Sequence, residues 1–135
     1  MNNFETIHLE ESTELLLQFN KPNGLLPVIV QEYSTNEILM QGYVNQQALT
    51  KTIQIGKAVF YSTSRKKLWF KGETSGNTLT INEILIDCDQ DALIYKVTLD
   101  NGGSCHTFLS NGQNRKGCFY RRLDTKFMQL TMIAE

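Results

Sequence analysis

The sequence predicts an α+β domain: mainly antiparallel β-sheet, with one central helix and a short N-terminal helix. Three observations carry this. Strand-like runs outnumber helical ones along the chain. One interior segment alone has both a good N-cap, Asn45, and a good C-terminal stop, Gly56. The 135 residues, 41% of them hydrophobic, fill one core and are too few for two ordinary ones. Residues 1–135 are therefore expected to form a single domain.

The elements follow in order. Between residues 11 and 19, Leu15, Leu16 and Phe19 share a helical face that Ser12 is placed to cap, and Asn20-Lys21-Pro22-Asn23-Gly24 stops it. Residues 26–33 and 38–44 read as strands joined by the turn Ser34-Thr35-Asn36-Glu37. The central helix runs from its cap Asn45 to Ile55. Residues 58–63 and 68–71 form a hairpin through Ser64-Arg65-Lys66-Lys67. Residues 78–88 and 93–99 are β-rich, with Ile81, Ile84, Leu85, Ile86, Ile94 and Val97 available for the core. Asp100-Asn101-Gly102-Gly103 is a strong turn, and residues 118–122 make a last short strand.

Composition excludes several functions. A formal net charge of -1 leaves no basic footprint for duplex nucleic acid or anionic membrane. The start, Met1-Asn2-Asn3-Phe4-Glu5, lacks the charged and apolar regions of a secretory signal. Apolar runs such as residues 24–30 fall far short of the roughly 20 residues a membrane helix needs. A cytoplasmic location is expected.

The three cysteines, Cys88, Cys105 and Cys118, are odd in number and cannot all pair within one chain. They remain as inert thiols, a nucleophile or metal ligands. Three protein ligands with one open position is the arrangement of catalytic zinc, but no C-x-x-C pair is present. Cys88 lies in the stretch Asp87-Cys88-Asp89-Gln90-Asp91. If extended, this stretch sends its aspartates to one face and its thiol to the other. Carboxylates suit magnesium and thiolates suit zinc. At about 3.3 Å per residue, Asp87 and Asp91 would stand roughly 13 Å apart, so one ion reaches all three aspartates only if the chain bends. A calcium EF-hand loop is excluded, because Ala92 and Thr98 sit where that loop needs glycine and glutamate. A solvated acidic turn is the plain alternative. The stretches Tyr61-Ser62-Thr63-Ser64-Arg65 and Lys71-Gly72-Glu73-Thr74-Ser75-Gly76 gather the amides, hydroxyls and cations that cradle phosphate, or form ordinary polar turns.

Together these segments resemble the phosphoribosyl-AMP cyclohydrolases of histidine biosynthesis. The resemblance spans residues 24–122 in family order and leaves the lead, residues 1–23, outside. Its carriers are Gly24-Leu25-Leu26-Pro27-Val28-Ile29-Val30-Gln31, Leu39-Met40-Gln41-Gly42-Tyr43-Val44-Asn45 and the two polar stretches above. Leu68-Trp69-Phe70, Asp87-Cys88-Asp89-Gln90-Asp91, Cys105-His106-Thr107 and Cys118-Phe119-Tyr120 complete them.

The resemblance implies an intertwined homodimer. It implies zinc at Cys88, Cys105 and Cys118, with Cys88 supplied by the partner subunit, and magnesium at Asp87, Asp89 and Asp91. The implied reaction is hydrolytic opening of the C6–N1 bond of N1-(5-phosphoribosyl)-AMP to the formimino-carboxamide ribotide. His106 is the candidate proton shuttle, as histidine titrates near neutrality, and Glu73 is a second candidate. Arg65, Lys71, Thr74 and Ser75 are candidates for holding the substrate's phosphates. The chain departs from the family between Thr107 and Cys118, where Phe108 replaces a glycine and residues 108–117 form a longer loop. Loop length costs little free energy, yet it makes the placement of Cys118 the open question. The competing class is a non-catalytic nucleotide-binding module whose zinc is structural, closed by His106 as fourth ligand.

Overall fold

The computed structural model describes residues 9–20 and 22–133. Residues 1–8 of the lead and Lys21 of its expected stop therefore lie outside the described residues. Among the described residues the strands are β1 (Leu26–Glu32), β2 (Ile38–Val44), β3 (Val59–Ser62), β4 (Lys67–Phe70), β5 (Leu79–Ile86), β6 (Leu93–Leu99), β7 (Arg121–Asp124) and β8 (Gln129–Met132). The helix α1 (Gln46–Ile55) lies between β2 and β3. The α+β class holds.

Four strands form one sheet in the order β2-β1-β6-β5, while β3–β4 and β7–β8 form separate hairpins. The β1–β2 and β5–β6 pairs are antiparallel. The β1–β6 pair is parallel, so the chain from β2 through β5 must cross over before β6 can lie beside β1. Alternation writes the core. Leu26, Val28 and Val30 of β1 and Leu93, Tyr95 and Val97 of β6 are buried, and the residues between them are less so. Leu39, Met40 and Val44 of β2, Leu79 of β5 and Ala48 and Leu49 of α1 close over them. Each fully buried leucine or valine contributes roughly 1.5–3 kcal/mol.

The helix forms for the reasons its ends suggest. The Asn45 side chain accepts a hydrogen bond from the Ala48 amide at 2.8 Å. Gly56 takes the left-handed conformation at φ 72° and returns its N–H to the Thr52 carbonyl. Thr52 Oγ1 accepts the Val59 amide at 3.0 Å, which fastens the helix to β3.

Two expectations are corrected. Residues 9–11 are helical, but residues 12–18 are not. The residues that pack there are Leu17 and Phe19, two apart as in extended chain, while Leu15 and Leu16 are exposed. A nine-residue helix is marginal on its own, and here the backbone bonds it would make go instead to Gln90 across the fold. At the other end, residues 118–120 are irregular, and the strand begins at Arg121 and pairs with a further strand, β8. Asp124 Oδ1 accepts the Lys126 and Phe127 amides at 2.9 and 3.2 Å and so turns the hairpin.

Asp100 ties the turn after β6 to the neighbouring elements. Its carboxylate accepts hydrogen bonds from Lys57 Nζ at 2.7 Å, Thr78 Oγ1 at 2.7 Å and Thr80 Oγ1 at 2.6 Å. Burial pushes this carboxyl up, but Lys57, Thr80 and Thr78 pull harder and leave it below its ordinary value. A depressed carboxylate adds stability above its unfolded pKa of about 4, and that stability is lost as pH falls through the folded value. Asp100→Ala is expected to cost about 1 kcal/mol at neutral pH, with wild type and variant converging in acid. Thermal melts across pH check this, and identical melts at pH 7 would remove Asp100 from the account.

Candidate active site

Cys105 sits on a short ladder, with the Cys118 thiol beside its own. Ser104 N–H bonds the Lys116 carbonyl at 2.9 Å, Cys105 N–H bonds the Arg115 carbonyl at 3.1 Å and Arg115 N–H bonds the Thr107 carbonyl at 2.9 Å. The approach is close enough that a side chain at Gly103 would put its Cβ 2.1 Å from the Arg115 carbonyl oxygen, so only glycine fits there. Cys118 N–H then bonds the Leu39 carbonyl at 2.6 Å, which fixes the thiol against β2. The longer loop closes on itself, through the Phe108–Asn114 bridge and the Leu109 N–H to Gln113 carbonyl bond at 2.8 Å. The insertion therefore leaves the two cysteines adjacent.

The two thiols titrate against each other. Burial pushes Cys105 up, but bonds from the Thr107 hydroxyl and amide, the neighbouring Cys118 and the Arg115 charge bring it below its ordinary value. The Thr107 hydroxyl lies 2.9 Å from Cys105 Sγ. Burial and the adjacent Cys105 push Cys118 up to about 11, with Lys71 opposing. Two adjacent thiolates repel unless a cation lies between them, and a soft divalent ion satisfies both. Lys71 is itself buried, its Nζ 5.7 Å from the centre of the Trp69 ring. Burial lowers its pKa, against the raising influence of Cys118 and Cys105.

Two clefts open beside this pair. One, of about 560 Å³, is lined by Ser62, Ser64, Arg65, Lys71, His106 and Cys118, among others. The other, of about 520 Å³, has Arg65, Glu73, Thr74, Ser75, Cys105 and His106 on its walls. Arg65, Lys71 and His106 belong to both. His106, Glu73, Arg65, Thr74 and Ser75 are exposed. Lys71 differs from the other phosphate-binding candidates in being buried against the thiols.

The aspartate stretch is not extended. β5 ends at Ile86, and the chain turns through residues 87–91, with Gln90 at φ 58°. Asp87 Oδ1 accepts the Asp91 and Ala92 amides at 2.9 and 3.0 Å. One ligand oxygen from each of Asp87, Asp89 and Asp91 lies within 4.8 Å of the others. Hydrogen bonding with Asp89 and Asp87 raises Asp91 to about 6. Burial pushes Asp87 up, but its bonds to Asp91 and Ala92 leave it lowered. Three crowded hard oxygens suit an ion such as magnesium. Cys88 is exposed on this turn. Among the described residues, the three cysteines do not gather within 4.8 Å of one another in one chain.

Sequence reasoning missed Thr107 and Arg115, which bond or polarise Cys105, and Asn114, whose side chain donates to the Cys105 carbonyl at 3.0 Å. Thr107 was legible as the hydroxyl two residues past a cysteine. Arg115 and Asn114 follow from how the longer loop folds back.

Basic, hydroxyl-lined clefts that meet at two adjacent thiols and a histidine have the groups of an enzyme acting on small molecules. Residues 40–120 match the family model described as phosphoribosyl-AMP cyclohydrolase. The phosphoribosyl-AMP cyclohydrolase of Hyphomonas neptunium is 44% identical over 126 residues, 93% of this chain and 90% of that protein. That of Solibacter usitatus is 45% identical over 108 residues, 80% and 81% of the two chains. That of Burkholderia cenocepacia is 47% identical over 102 residues, 76% and 70%. The chain belongs to the phosphoribosyl-AMP cyclohydrolase family.

Proposed function

We propose that the chain opens the adenine ring of N1-(5-phosphoribosyl)-AMP by hydrolysis, as a step of histidine biosynthesis in the cytoplasm. The observation that carries this is the Cys105–Cys118 pair, set with Lys71 and His106 where the two clefts meet. Substitution at N1 leaves C6 electrophilic. Water adds at C6, the C6–N1 bond breaks, N1 takes up a proton, and C6 becomes a carboxamide carbon.

His106 lines both clefts and is exposed to substrate, so it is the group assigned to carry the proton; Glu73 lies farther along one wall. Arg65, Thr74 and Ser75 supply cation and hydroxyls to the phosphates. Cys105 and Cys118, with Cys88, would hold zinc, which when bound would supply a Lewis acid able to lower the pKa of water toward neutrality. Asp87, Asp89 and Asp91 would hold magnesium, which when bound would supply positive charge for a phosphate.

The active unit is a homodimer in which Cys88 comes from the partner subunit. The separation of Cys88 from the other two thiols supports this. So does the β7–β8 hairpin: Leu123, Leu130 and Met132 share one exposed face, and a lone two-stranded hairpin is marginal in water. A structural-zinc module finds no support in His106, which lines both clefts.

The test is turnover of synthetic N1-(5-phosphoribosyl)-AMP, followed by ultraviolet absorbance and product mass. A gain of one water per substrate, abolished by a thiol-competing chelator and restored by zinc, is the expected result. Binding without turnover in zinc-replete protein would favour the module.

A further inference from the structure

We propose that Gln90 is a positioning residue through which the N-terminal lead clamps the Asp87–Asp91 turn into its cation-gathering shape. The proposal rests on the magnesium reading of that turn. Gln90 is buried, at 6% exposure, and sits at φ 58°. The left-handed region costs a residue with a Cβ about 1–2 kcal/mol, and glutamine is not among those that visit it readily. The turn's own bonds, from the Asp91 and Ala92 amides to Asp87 Oδ1 and from Gln90 N–H to the Asp87 carbonyl at 3.2 Å, offset part of that cost, and contacts from outside the turn add to them.

The lead adds three hydrogen bonds. Leu16 N–H donates to Gln90 Oε1 at 2.6 Å, Gln90 Nε2 donates to the Glu14 carbonyl at 2.9 Å, and Gln18 N–H donates to the Gln90 carbonyl at 2.9 Å. The side-chain amide thus pairs with residues 14–16 as a neighbouring strand would, and neither of its ends is left unsatisfied. Reversal of the chain at Gln90 brings Asp91 back to Asp87, whereas an extended chain would separate them by roughly 13 Å. The lead lies before residues 40–120, which the family model matches.

Three variants separate the clamp from the turn's own preferences. Gln90→Gly frees the backbone at φ 58° but removes the amide. Gln90→Asn tolerates the same φ but is one methylene too short. Leu16→Pro leaves the turn untouched and deletes one donor. The protein is the zinc-loaded full chain. The readouts are magnesium affinity by calorimetry, manganese binding by electron paramagnetic resonance and amide exchange at Asp91 and Ala92.

All three variants are expected to bind magnesium about tenfold more weakly and to exchange those amides faster. Zinc content is measured alongside, because Cys88 lies on the same turn, and at full zinc loading kcat should return at saturating magnesium. A merely structural role would lower the melting temperature and leave the magnesium constant alone. Wild-type affinity in Gln90→Gly and Gln90→Asn, in a protein where Asp89→Asn weakens binding, would overturn the clamp and leave the magnesium site standing. Absence of magnesium binding by the wild type would overturn both.

Discussion

A Cys105→Ser protein is expected to keep its fold and lose both its zinc and at least about a thousandfold in turnover, several kcal/mol of transition-state stabilisation. The thiol is buried at 3% exposure and bonded to Thr107, and serine nearly matches it in size. What changes is softness, since a hydroxyl keeps its proton at neutral pH and holds zinc poorly. Cys118→Ser and Cys88→Ser should behave alike. Elemental analysis beside circular dichroism checks this. Full zinc in folded Cys118→Ser protein would take that residue out of the site and return the longer loop to the centre of the question.

The second large effect is recovery rather than loss. Cys88→Ser and Cys118→Ser homodimers should each be nearly inactive. If each zinc site draws Cys88 from one subunit and the other thiols from its partner, a heterodimer of the two has one site with both defects and one with neither. Refolding a mixture with zinc should then restore up to roughly half of wild-type activity per heterodimer, for independent sites. Native mass spectrometry shows whether heterodimers formed. Verified heterodimers with no activity would place all three ligands within one chain.

Much of the scaffold was legible because its signals are local. Asn45 and Gly56 bracket α1 through bonds to residues three and four away, and the alternation in β1 and β6 is a pattern of neighbours. The unread parts are those decided at long range. The parallel β1–β6 pairing leaves no mark in either strand. Residues 12–18 carry a helical spacing, yet Gln90, 74 residues from Leu16 in the chain, takes their hydrogen bonds. The bend at Gln90 was invisible for the same reason, because glutamine does not advertise a positive φ. At the site, residue types pointed to two metals, but the contact of Cys105 with Cys118 depends on a loop whose closure no short motif encodes.

That loop has a consequence for how this scaffold tolerates change. The bonds joining residues 104–107 to 114–116 act as a seam, and beyond it the loop closes on itself through the Leu109–Gln113 bond. Gly112 has open space around it, and closing a longer loop costs only about 0.6 kcal/mol per doubling. The tip is therefore a permissive port: a peptide tag or a reporter spliced between Asn111 and Gly112 leaves the spacing of the two thiols to the seam, so chemistry and loop length can drift independently.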